Sequence, residues 1–234
     1  MKKINFRLPK LTKKYKDLLI GGLIVALILT VVALLIYLVV STIWTEQVRI
    51  QLLTEPISGQ ETTTMKNALN DAQEANIYSG TFCFWLYLNS MSNMQTMDVN
   101  YIMSYEIPYS EYGKDNVNFD IIYGDADDTS LNRITVRVKD TEGNYESIYI
   151  DDIYLQKWMC IEVIINNTRI DIYVDGELKN SKTMKYVPLL SDQGNLYIGK
   201  GNGFDGRIAQ LSFFNYALDE SDIVKFYNKG ISYP

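Results

Sequence analysis

Two hydrophobic rhythms divide the chain. From Leu18 to Val40 the residues are aliphatic almost without a break, interrupted by Gly21, Gly22, Thr30 and Tyr37, and no charge occurs between Leu18 and Thr45. At about 1.5 Å per residue this run makes a helix of about 35 Å, enough to cross a hydrocarbon layer of about 30 Å with modest tilt. A helix on a soluble core would carry a polar face, and this one has none. The pattern predicts a transmembrane helix over residues 18–44, with Trp44 at the interface. The run is too long for a removable signal peptide and has no small-residue cleavage site.

Beyond Ile77 the period falls to two. In Asn132–Lys139 the apolar Ile134, Val136 and Val138 alternate with Arg133, Thr135, Arg137 and Lys139, the mark of a strand with one buried and one wet face. Arg169–Val174 alternates in the same way and runs into Asp175-Gly176, a pair suited to a type I′ turn because both central positions need positive φ. The return strand is then Glu177–Met184. Further strands are expected at Gly80–Asn89, Tyr101–Tyr105, Asn118–Gly124, Tyr145–Ile150, Trp158–Asn166, Asn195–Gly199 and Gly206–Phe214, and an entering strand near Val48–Thr54 after a short stalk. Strands and helices do not alternate regularly, which excludes a parallel α/β sheet and leaves an all-β, antiparallel sandwich. One helix is predicted near the end: Asp219 caps it, Leu218 and Ile223 form a hydrophobic staple, and Gly230 stops it. The domains are therefore a tail over 1–17, a span over 18–44, and a stalk and β-domain over 45–234.

Charge orients this arrangement. Lys2, Lys3, Arg7, Lys10, Lys13, Lys14 and Lys16 precede the span against a single Asp17, so the tail is expected to stay cytoplasmic and the C-terminal domain to be translocated, a type II signal anchor. Of 22 basic and 28 acidic residues in the chain, seven and one lie in the tail; the rest carries 15 and 27, a net charge of −12. Nucleic acid is excluded as a partner of so acidic a domain, because its affinity comes from neutralised phosphates.

The chain has no histidine and two cysteines. Serine and cysteine hydrolase triads that use imidazole are ruled out, as are most zinc sites. Cys83 and Cys160 each fall within an apolar strand, where a free thiol packs as a small hydrophobe. A translocated domain would also permit a disulfide between them, and the sequence leaves both states open.

The segments Trp158-Met-Cys-Ile-Glu-Val-Ile-Ile, Ile172-Tyr-Val-Asp-Gly-Glu-Leu, Leu196-Tyr-Ile-Gly, Phe204-Asp-Gly-Arg-Ile and Phe214-Asn-Tyr-Ala-Leu-Asp follow one another in the order and spacing of a known family. Together they resemble the C-terminal half of the concanavalin A-like, laminin G-like jelly roll, and Gly80-Thr-Phe-Cys-Phe-Trp-Leu-Tyr-Leu resembles its first core strand. The resemblance runs from about Val48 to Pro234 and is least over Asn89–Asp128. It implies two curved antiparallel sheets packed face to face. Membrane-anchored forms with this short N-terminal arrangement resemble proteins of large DNA viruses, which would make the membrane a virion's internal one.

The resemblance also sets out which chemistry to look for. Glucanases of this fold need a pair of carboxylates on one strand face, typically Glu-x-Asp-x-x-Glu, and that motif is missing. Calcium occurs in many such domains; the candidates are Asp125, Asp127 and Asp128, with Asp115, Asn116 and Asp120 as a second cluster, against the plainer reading of a solvated turn. Tyr105, Tyr109, Tyr112 and Tyr123 crowd the least family-like stretch, where exposed rings would stack on sugars or anchor a protein, although a general bias toward tyrosine also explains them. Asn166-Asn167-Thr168 is a glycosylation acceptor at an expected hairpin tip, Asn166 being the attachment residue. Asp175, Gly176, Asp205 and Gly206 are expected to build structural turns, and Trp158 to be structural as well. In the span, Gly22, Ala26 and Thr30 recur every fourth residue and suit a homodimer by close helix approach. The functional expectation is a non-enzymatic, lectin-like recognition or adhesion module that meets a glycan or protein ligand beyond the lipid bilayer, with a structural protein tethering membrane to shell as the alternative.

Overall fold

A computed structural model describes residues 13–43, 47–70, 78–90, 99–107, 117–124, 132–188, 190 and 193–231. The chain forms two compact units, Met1–Thr45 and Glu46–Pro234.

The described residues of the first unit form a single helix, α1 (Lys13–Ile43). Over Ile20–Tyr37 it is long and apolar enough to cross a membrane, and none of that stretch is buried within the protein. Gly22 and Ala26 are exposed on it, with open space beside Gly22. The hydroxyl of Thr30 donates to the helix's own carbonyls, at 3.1 Å to Ala26 and 2.8 Å to Leu27, which hides its polarity from an apolar surrounding. Trp44 lies outside the described residues.

The second unit is an antiparallel sandwich. Its seven-stranded sheet runs β1 (Arg49–Gln51), β13 (Gly206–Phe214), β4 (Ser79–Leu88), β9 (Trp158–Asn166), β10 (Arg169–Val174), β11 (Glu177–Thr183), with β2 (Ile57–Ser58) also on β13. The six-stranded sheet runs β3 (Thr63–Met65), β12 (Asn195–Ile198), β5 (Asn100–Glu106), β6 (Val117–Tyr123), β7 (Arg133–Lys139), β8 (Tyr145–Asp151). Alternation decides which side chains meet between the layers. Phe82, Phe84, Leu86 and Leu88 of β4 face Phe119 and Ile121 of β6 and Ile134, Val136 and Val138 of β7 in one core. The rings of Phe82 and Phe119 stack at 4.8 Å. Each such fully buried side chain contributes about 2 kcal/mol by leaving water.

The central strands of the seven-stranded sheet are apolar on their second face too. Cys83, Ile164 and Phe214 lie under α2 (Glu220–Lys229), which seats Ile223 and, just before it, Leu218 on them. The staple and both caps follow the sequence expectation: the Asp219 carboxylate accepts from the Asp222 N–H at 2.9 Å, and Gly230 ends the helix at φ 67°. The hairpin at Asp175-Gly176 also forms as expected, with φ of 54° and 79°.

Two short strands go beyond the sequence expectation: Ile57–Ser58 and Thr63–Met65 pair with β13 and β12 and so belong to the sandwich. Strands of two and three residues leave too little alternation to be read from sequence. The tyrosines also differ from expectation. Tyr105 is fully buried, its ring so close over Gly194 that a Cβ there would collide with it, and Tyr123 is buried with its hydroxyl donating to the Asn132 side-chain oxygen at 3.0 Å. Inward positions of β5 and β6 take up both rings, so neither offers a stacking surface. Tyr109 and Tyr112 lie outside the described residues.

Candidate functional site

One end of the seven-stranded sheet's outer face is left uncovered by the described residues. There Trp158, the first residue of β9, stands directly across from Tyr87 of β4, and Tyr87 directly across from Arg207 of β13. The same row continues to Ser58 of β2, opposite Arg207. Because the strands are antiparallel and in register, residues from four separate sequence segments share one face. The Tyr87 and Trp158 rings lie 5.5 Å apart, tilted by 53°. Both are half-buried, whereas Arg207 is exposed.

The row floors an open cleft of about 490 Å³, closed at its side by Gln60, Asn89, Asp205 and Gly206. Asp205 organises this wall. Its carboxylate accepts from Gln60 Nε2 at 3.3 Å, Asn89 Nδ2 at 3.2 Å and Ser90 Oγ at 2.5 Å, and its carbonyl accepts the Asn89 N–H at 2.8 Å. Gly206 lets the bend close, since a Cβ there would strike the carbonyl oxygen of Tyr87. Gly59 stitches the other rim: its N–H donates to Gly206 O at 2.9 Å, and its carbonyl accepts from Phe204 at 3.0 Å. The turn at Asp205-Gly206 is therefore structural, as expected, and also forms the wall of the cleft. Trp158, expected to be structural, presents part of its ring there.

Further along the same face, beneath α2, the chemistry changes. Glu162 is fully buried; its Oε1 accepts from the Cys160 thiol at 2.9 Å, while its Oε2 has no hydrogen-bond partner among the described residues. Burial, with the nearby Asp175 charge adding to it and the thiol hydrogen bond opposing, pushes the Glu162 carboxyl up to about 7 from an ordinary 4.5. Burial likewise pushes both thiols up, so they stay protonated and unreactive. Cys83 pairs with Glu162 and Cys160 with Trp85, so the cysteines are diagonal neighbours on adjacent strands. Such pairs sit roughly 7–8 Å apart, beyond disulfide reach, and both thiols are free.

The remaining sequence candidates are dispersed. Asp125, Asp127 and Asp128 lie outside the described residues, as do Asp115 and Asn116. Asp120 is buried and holds Arg137 through two hydrogen bonds of 2.8 and 2.5 Å, which commits it to an ion pair. Among the described residues no group of three or more acidic or thiol side chains converges as a metal site would require. Asn166 is exposed at the end of β9, where its side-chain oxygen accepts from Asn167 at 3.2 Å. Asp175 serves its turn and accepts the Cys160 N–H at 2.9 Å. Tyr87, Asn89, Gln60 and Arg207 had no signal in the sequence; each is unremarkable until β2, β13, β4 and β9 are set side by side.

The family profile described as the concanavalin A-like lectin/glucanases superfamily, Laminin_G_3, matches residues 61–224. No curated protein matches the sequence. Among solved structures, a botulinum neurotoxin serotype D binding domain superposes with a TM-score of 0.55 at 17% identity, over 80% of this chain and 43% of that one. The serotype D ligand-binding domain in complex with N-acetylneuraminic acid gives 0.52 at 16%, over 80% and 43%. The serotype G binding domain gives 0.51 at 16%, over 78% and 46%. The chain thus spans less than half the length of each, and at these identities the likeness is one of fold.

Proposed function

The chain belongs to that superfamily, and we propose that it is a non-catalytic, membrane-anchored binding module whose cleft at Tyr87, Trp158 and Asp205 takes a glycan. The observation that carries this reading is the meeting of an aromatic floor with a pre-organised amide wall in one open cleft. A pyranose ring has an apolar C–H face and a hydroxyl-lined rim. The first packs on Trp158 and Tyr87, and the second exchanges hydrogen bonds with the amides of Gln60 and Asn89. Asp205 holds both amides through one N–H each, leaving their carbonyl oxygens and second N–H groups for a ligand.

The same wall argues against bond cleavage. Asp205 is the one carboxylate among the described residues lining the cleft, and both its oxygens are engaged. Hydrolysis of a glycoside needs two carboxyl groups facing the scissile bond. Binding to N-acetylneuraminic acid by one fold neighbour is in keeping with a sugar ligand. Helix α1 supplies the anchor in this reading, and the basic residues before it support placing the domain on the translocated side.

The test is binding of the full-length chain, held in lipid nanodiscs, to a panel of immobilised glycans. Saturable binding is expected, and Trp158→Ala should weaken it by about tenfold, or about 1.4 kcal/mol. Absence of binding to any glycan, or a Trp158→Ala variant that binds as the wild type does, overturns the proposal. Stoichiometric tethering to a protein shell without a glycan ligand would replace it with the structural alternative.

A further inference from the structure

We infer that the cleft selects a short, linear, acidic oligosaccharide laid across the strands, with its carboxylate or sulfate group held by Arg207; this rests on the glycan reading above. The first ground is the state of Arg207. The domain beyond the span carries 27 acidic residues against 15 basic ones, so an arginine there has carboxylates in surplus. Elsewhere on the sheet faces cations take them: Arg133 with Asp151, Arg137 with Asp120, Lys182 with Glu146. Arg207 forms no ion pair or side-chain hydrogen bond with any described residue. Asp205, two residues earlier, gives its oxygens to Gln60, Asn89 and Ser90 instead. An exposed guanidinium kept free at the edge of a cleft is a donor fork suited to a planar carboxylate or to a sulfate.

The second ground is the shape of the row. Trp158, Tyr87, Arg207 and Ser58 sit on four neighbouring strands in direct register. Three strand spacings of about 4.8 Å make roughly 14 Å, longer than one sugar ring. A ring stacked on Trp158 and Tyr87 therefore leaves its linked neighbour over Arg207. The charge then falls one unit along the chain from the stacked ring. A neutral sugar would gain only hydroxyl hydrogen bonds from Arg207 and Ser58 at this end of the cleft, and a single acidic ring stacked on Trp158 leaves its anionic group short of Arg207 two strands away.

The experiment uses the full-length chain in nanodiscs of zwitterionic lipid and measures calorimetric affinity for three oligosaccharides of equal length: neutral, uronate-containing and sulfated. The better of the two acidic ligands should bind at least about tenfold tighter than the neutral one at low salt. Raising the ionic strength should narrow that gap, because the ion pair is exposed. Which acidic ligand wins separates carboxylate from sulfate. Arg207→Gln, at an exposed position where the melting temperature should hold, is expected to bring the acidic ligand down to the neutral one's affinity. The corresponding acidic monosaccharide should bind no better than a neutral monosaccharide. Equal affinity for neutral and acidic chains, or a preference that survives Arg207→Gln, overturns the inference while leaving glycan binding in place. Failure of all three ligands removes the glycan reading itself.

Discussion

On the outer face of the seven-stranded sheet, β4, β9 and β13 each serve two different surroundings. Under α2 they present Cys83, Trp85, Cys160, Glu162, Ala209 and Phe214, nearly all fully buried. A few residues away the same strands present Tyr87, Trp158 and Arg207 to an open cleft. Backbone and register are continuous between the two, so the difference is made by the cover. Where α2 lies down, side chains must be small or apolar and charge must be neutralised, even at the cost of holding a proton on Glu162. Where it stops, large aromatic rings and an exposed cation remain in contact with water. A helix of ten residues thus divides a single face into a structural half and an open half.

The largest effect should come from removing the cover's anchor. Ile223 is the one fully buried residue of α2. Ile223→Ala should cost about 3 kcal/mol, lowering the melting temperature by roughly 6–12 °C. It should also open the thiols of Cys83 and Cys160 to an alkylating reagent while glycan binding at the cleft is kept. Thiols that remain as protected as in the wild type would mean that α2 is not what shields them.

A second effect follows from pH and is comparable in size. Glu162 holds its proton to about 7 in the fold, against an ordinary 4.5. Between those values the folded domain keeps a proton that the unfolded chain has released. The stabilisation is therefore full below pH 4.5 and is lost as pH rises through 7, by up to about 3 kcal/mol. Urea midpoints of wild type and Glu162→Gln at pH 5 and pH 8 measure it. The wild type should lose more stability than the variant over that interval, and parallel losses would show that Glu162 does not carry the effect.

The smallest effect tests the helix end. Asp219→Ala removes the acceptor of the Asp222 N–H and should cost about 1 kcal/mol, seen as a fall of a few degrees in a calorimetric scan with the cleft's affinity unchanged.

What the sequence disclosed and what it withheld follow the same division. Local chemistry was legible: the two positive φ values at Asp175 and Gly176, the cap at Asp219, and the alternation of Ile134, Val136 and Val138 are each written within a few consecutive residues. The structural half of the outer face was half-legible, because Cys83, Cys160 and Ile164 break the two-residue beat in favour of continuous apolar runs, a sign of strands covered on both sides. The open half was not. Its residues come from positions 58–60, 87–89, 158 and 205–207, and only the strand order β2, β13, β4, β9 brings them together. Of the rings that tyrosine abundance pointed to, Tyr105 and Tyr123 are in the core, whereas Tyr87 sits near the end of β4, which the sequence marked only as resembling a core strand.

The pairing of β1 with β13 bears on how the domain would withstand tension. Arg49 meets Phe214 at one end of β13, and Arg207 lines the cleft near the other, seven residues or about 23 Å along the strand. A pull between a captured ligand and the chain leaving at Gln47 therefore acts along the strand axis. In that geometry the cross-strand hydrogen bonds of β13 to its neighbours share the load together and resist shear, instead of opening one after another like a zip.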